Sequence, residues 1–81
     1  MFIQTKNGNI IGFNDSNKLI LNINNDGNET CYLLNVDNFT IWRKSAYTFD
    51  FESRQELQDE ARCIMNMIYN AIEEGKAIVN I

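Results

Sequence analysis

Histidine is missing from the 81-residue sequence, and with it go the commonest general base and the commonest transition-metal ligand. Cysteine is scarce. Cys31 and Cys63 permit one bridge at most and supply too few thiolates for a zinc site. No cofactor and no metal is therefore expected. Met1-Phe2-Ile3-Gln4-Thr5-Lys6 lacks the basic and apolar regions of a signal peptide, so the expected setting is the cytoplasm, where both thiols stay free. The sequons Asn28-Glu29-Thr30 and Asn38-Phe39-Thr40 then read as chance matches. No apolar run approaches the ~20 residues of a membrane span, which excludes membrane partners. Proline is also absent, while asparagine occurs thirteen times and isoleucine eleven. That composition matches translation of an AT-rich genome, such as a low-GC bacterium or its phage.

A chain of this length carries one domain with a modest core. Domains this small often need a bridge, a metal or an oligomer for stability. Its charge is uneven. Residues 1–44 hold four basic and four acidic side chains, whereas residues 45–81 hold three basic and seven acidic, so the net charge of −4 lies in the C-terminal half. Such acidity opposes general affinity for nucleic acid, because phosphate binding needs a positive field.

The pattern of turns predicts an α+β fold: an antiparallel, curled meander sheet of five or six short strands, packed by one long C-terminal helix. Asn7-Gly8 suits a hairpin turn that sets Phe2 opposite Phe13 and Ile3 opposite Gly12. Asp26-Gly27 suits a second, placing Leu21 opposite Tyr32 and Leu19 opposite Leu34 on one apolar face. Further strands are expected at Phe39–Arg43 and Tyr47–Phe51. Ser53-Arg54-Gln55-Glu56 fits a capping box, with Ser53 as the cap, and Gly75 is well placed to stop the helix. Ala77, Ile78 and Val79 predict a short final strand.

Along the helix, Leu57, Ala61, Ile64, Ile68, Ala71 and Ile72 form an apolar stripe flanked by Met65 and Tyr69 on one side and Met67 on the other. The full arc spans roughly 200°, wider than one sheet face needs. Met65, Met67 and Tyr69 are therefore the candidate residues for self-association as a homo-oligomer, a strand edge being the other candidate.

Other motifs have plain structural readings. Asn22 to Gly27 matches the opening of an EF-hand loop, but Leu33 stands where the bidentate glutamate is required, so the segment reads as a turn. Cys31 and Cys63 lack a histidine to activate them and read as packing residues. Glu56, Asp59, Glu60, Glu73 and Glu74 fit a solvated helix face better than a pair of catalytic carboxylates. Trp42-Arg43-Lys44 with Tyr47 is the one place where aromatics and cations interleave. These four are the candidate ligand or partner contacts, though an alternating strand that buries Trp42 has the same pattern.

Two resemblances add to this. The opening Met1-Phe2-Ile3-Gln4-Thr5-Lys6-Asn7-Gly8-Asn9-Ile10-Ile11, with the run from Phe51-Glu52-Ser53 through Ile68-Tyr69-Asn70-Ala71-Ile72-Glu73-Glu74-Gly75, resembles small sheet-then-helix proteins of Gram-positive bacteria and their phages. That likeness implies a fold and no activity. Asn24-Asn25-Asp26-Gly27-Asn28-Glu29 is similar to a hairpin in a small acidic phage anti-CRISPR protein, which implies the anti-defence class of inhibitor. The expectation is a non-enzymatic binding protein, a phage-type anti-defence inhibitor that occupies a protein partner. The alternative is a module sequestering a small nucleotide-like ligand with Trp42 and Arg43.

Overall fold

The computed structural model describes residues 1–81 and has the α+β architecture expected. The strands are β1 (Phe2–Gln4), β2 (Ile10–Gly12), β3 (Leu19–Asp26), β4 (Glu29–Val36) and β5 (Phe39–Tyr47); helix α1 (Phe51–Glu73) and strand β6 (Ile78–Asn80) follow. They form two sheets of three strands, ordered β2-β1-β6 and β3-β4-β5. The second is an antiparallel meander. In the first, β6 returns after the helix to lie parallel to β1, since a crossover helix lets the chain re-enter a sheet in the same direction.

The first hairpin has a register one residue from that expected. Phe2 faces Gly12 and Ile3 faces Ile11, because the loop is the longer Thr5–Asn9. Within it Thr5 N donates to Asn9 O (2.9 Å), Gly8 N to Thr5 O (3.0 Å) and Asn9 N to Thr5 Oγ1 (3.2 Å). Gly8 supplies the positive φ of 85°. A slip of one residue exchanges the faces, so Ile3 is buried while Phe2 and Ile10 face outward.

The second hairpin turns at Gly27-Asn28, and the pairs are Leu19 with Val36, Leu21 with Leu34 and Ile23 with Tyr32. This differs from expectation by two residues, which preserves the apolar face. Gly27 has φ 63° and takes the first central position, where type II′ turns place glycine.

β5 runs unbroken through the segment expected to separate two strands, because Arg43 to Tyr47 continue the ladder back to Glu29. Tyr47 ends that strand and Phe51 opens the helix, so Tyr47–Phe51 is no strand. Asp50, not Ser53, caps α1: its carboxylate accepts from Ser53 N (3.1 Å) and Ser53 Oγ (2.8 Å). The helix begins at Phe51, so Asp50 takes the cap position and Ser53, three residues on, supplies the orphan amide that the aspartate satisfies. At the other end Gly75 (φ 70°) closes a Schellman motif, with Gly75 N donating to Ile72 O (3.0 Å) and Lys76 N to Ala71 O (2.9 Å).

α1 lies across β5, β4 and β6. Ala61, Ile64, Ile68 and Ala71 press onto Ile3, Tyr32, Leu34, Val36 and Val79, while Leu57, Met65 and Ile72 are partly buried beside them. Two buried hydroxyls are satisfied. Arg54 Nε donates to Tyr32 Oη (3.2 Å), and Thr30 Oγ1 meets Asn25 Oδ1 (2.9 Å) and Thr48 Oγ1 (3.0 Å). No helix is long and apolar enough to cross a membrane.

Candidate binding cleft

β5 carries one irregularity that builds the site. Leu34 pairs with Trp42 but Asn35 pairs with Thr40, which leaves Ile41 as an unpaired bulge residue. A bulge breaks the strict alternation of faces, and both Ile41 and Trp42 are buried. The following residues border a cleft of about 180 Å³ where the two sheets and the helix meet, Lys44 on the Trp42 face and Arg43 with its side chain on the outer face. The Thr5–Asn7 loop forms one wall, and Ile64 of α1 and Ile81 after β6 complete the apolar floor.

Trp42 is only 8% exposed, and its Nε1 is the one buried side-chain polar atom without a hydrogen-bond partner within the protein. Lys6 and Lys44 border the cleft on the Trp42 side, whereas Arg43 turns its guanidinium to the outer face of the sheet. Lys44 Nζ is held by Glu60 at 2.8 and 3.1 Å. Arg43 Nε donates to Cys31 Sγ at 3.3 Å, and neither Arg43 nor Lys6 forms an ion pair. The cleft therefore carries one cation without an ion-pair partner, Lys6, near a buried and unpartnered indole N–H, on a chain whose net charge is −4.

Trp42 and Lys44 thus come together, but Arg43 turns to the opposite face of β5 and Tyr47 does not join them either. It lies five residues further along β5, roughly 16 Å at the rise of a strand, and packs edge-on against Phe49 (5.5 Å between centroids). Tyr47, Phe49 and Phe51 are 57, 62 and 73% exposed and form an aromatic patch at the β5–α1 junction. Arg54 stands 5.9 Å over the Phe51 ring. The alternation of Tyr47 to Phe51 suits a strand that buries one side, which hides the exposure of Phe49 and Phe51 from the sequence. Thr5, Lys6 and Asn7 carry no sequence signal beyond the Asn7-Gly8 turn, and only the packing of the two sheets brings them to the cleft.

Of the residues expected at a subunit contact, Met65 is partly buried against the core, Tyr69 is exposed on the flank that overhangs β3, and Met67 is exposed elsewhere on the helix. Both cysteines are free; Cys31 is half-buried on the outer face of β4 and Cys63 is exposed on α1. The Asp50 carboxyl is held below the ordinary range first by the Ser53 backbone amide and then by its hydroxyl. Asp37 is lowered first by the Asn17 side chain (2.6 Å) and then by the Lys18 amide (3.0 Å). Both carboxylates fasten turns and lie outside the cleft. No three metal-ligating side chains cluster. Compared with protein-family models, curated proteins and solved structures, the chain matches none.

Proposed function

We propose that this is a binding protein that acts without chemistry, occupying a protein partner by receiving one of the partner's carboxylates in the Trp42 cleft. The observation that carries this reading is the unpaired, buried indole N–H of Trp42 in a cleft bordered by Lys6, which has no ion-pair partner. Leaving such a donor unsatisfied costs about 1–3 kcal/mol, and an anionic acceptor is the group that Lys6 favours electrostatically.

Size decides between a macromolecular and a small-molecule ligand. Sites that enclose drug-sized ligands measure about 300–1,000 Å³, whereas this cleft is about 180 Å³. It fits an acidic side chain or a chain-terminal carboxylate and is too small for a nucleotide. The exposed Tyr47, Phe49 and Phe51 supply the kind of aromatic surface that protein interfaces use. Inhibitory occupation of a cytoplasmic partner, of the anti-defence kind, is the wider role consistent with this chemistry.

Trp42 is the sole tryptophan, so its emission reports on the cleft directly. Titration with a peptide ending in glutamate should shift and saturate that emission. The same peptide ending in glutamine amide, and adenosine monophosphate, should not. Lys6→Glu should abolish the response, and Arg43→Glu, on the outer face of the sheet, should leave it in place. A saturable response to the nucleotide and not to the acidic peptide would replace this reading with nucleotide sequestration.

A further inference from the structure

β3 is an edge strand, hydrogen-bonded on one side only, to β4. Such edges are usually protected by charge, proline, a bulge or a covering element. Leu19-Ile20-Leu21-Asn22-Ile23-Asn24-Asn25 has no charged residue and no proline, and its pairing with β4 is regular throughout. α1 packs over β5 and β4 rather than over β3. In consequence Ile23, on the core-facing side opposite the buried Tyr32, remains 45% exposed. Tyr69 and Ile72 of α1 face Leu19 and Ile20 across an open trough, so apolar surface runs beside a bare row of backbone groups.

We propose that a second copy of this chain pairs with this edge, β3 against β3, antiparallel about a two-fold axis through Asn22. The register follows from the ladder. Lys18 O accepts from Asp37 N, so the even-numbered residues turn their backbone groups toward β4, and Leu19, Leu21, Ile23 and Asn25 turn theirs outward. Hydrogen-bonded pairing of two such edges requires outward residues to face each other, which admits axes through Leu21, Asn22 or Ile23. Only the Asn22 axis sets Lys18 of each copy opposite Asp26 of the other, with Leu21 opposite Ile23 between them.

Neither Lys18 nor Asp26 has an ion-pair partner in its own chain. Asp26 instead sits directly across from Glu29, a like-charge pair that is unfavourable within one copy. Lys18 of the second copy would offset it. The arrangement buries Ile23, joins two three-stranded sheets into one of six strands and places the two Tyr69 flanks on the same side. A closed, isologous pairing of this kind leaves no strand edge of β3 open to further addition.

Sedimentation equilibrium tests the proposal. The unmodified chain should sediment at twice its monomer mass at micromolar concentration. Lys18→Asp and Asp26→Lys each set like charges opposite at both ends and should each weaken association roughly tenfold. An equimolar mixture of the two variants sets opposite charges together again at both ends and should recover the unmodified association. Ile23→Pro removes an outward N–H without touching the ladder to β4 and should give a monomer with unchanged far-ultraviolet circular dichroism. If that variant fails to fold, the charge exchange alone decides. A monomer mass for the unmodified chain, or a dimer indifferent to the charge exchange, would overturn the proposal.

Discussion

Trp42→Phe separates the stability of the fold from the role of the indole. The substitution removes the unpaired Nε1–H and leaves an aromatic ring in the same place between Ile41 and the helix. The two side chains differ by roughly 50 Å² of apolar surface, which at ~25 cal/mol per Å² is about 1.3 kcal/mol of lost burial, with a further contribution from the small void left behind. Against this, the variant no longer buries an unsatisfied donor, a gain of about 1–3 kcal/mol. The two nearly cancel, so unfolding stability should change by less than about 1 kcal/mol. Ile68→Ala, at a site fully buried against both sheets, has no such offset and should cost about 2–5 kcal/mol. Urea denaturation followed by circular dichroism measures both, since fluorescence is lost with Trp42. A Trp42→Phe cost comparable with that of Ile68→Ala would mean that the indole N–H is satisfied in solution, and the argument for the cleft would fail with it.

Four further outcomes follow from the fold. Asp50→Ala should lower the melting temperature more than Ser53→Ala, because Asp50 accepts both hydrogen bonds at the start of α1; equal shifts would return the cap to Ser53. Asp37 and Asp50 have folded-state pKa values below the ordinary 3.8, so their contribution is fully present above that value and is lost as pH falls through the lowered folded values. Replacing both with asparagine should flatten the acid limb of a stability profile taken below pH 4. Gly75→Ala should cost about 1 kcal/mol from backbone strain alone, since φ is 70° and an added Cβ would meet nothing within 4 Å; a neutral result in thermal unfolding would contradict the Schellman cap. Thiol titration of freshly purified protein should find two free thiols, the exposed Cys63 reacting before the half-buried Cys31.

The legible features were those written locally. Alternation gives β3 and β4 their apolar face, and the one-residue displacement of the turn shifts the pairing by two residues without disturbing it, because a two-residue shift keeps every side chain on its side. The helix stripe and the Gly75 stop were equally local. The first hairpin was not legible: Asn7-Gly8 favours a two-residue turn, but the Thr5 hydroxyl and amide close a five-residue loop around it. The parallel return of β6 to β1 depends on where the helix ends in space, which no short pattern encodes. The cleft was half legible. Trp42, Arg43 and Lys44 stood together in sequence, but Lys6 reaches them only through the assembly of two sheets, and the bulge at Ile41 that buries two consecutive residues has no composition of its own.

The central claim is that the Trp42 indole donates to a carboxylate brought by the partner. With a single tryptophan in the chain, ¹⁵N-labelled protein gives one indole Nε1–H resonance, and titration with sodium acetate against sodium chloride of equal ionic strength reads that atom alone. Acetate should produce a saturable downfield shift that chloride does not produce and that Lys6→Glu removes. An indole resonance that stays fixed through the acetate titration, or moves equally in chloride, would contradict it.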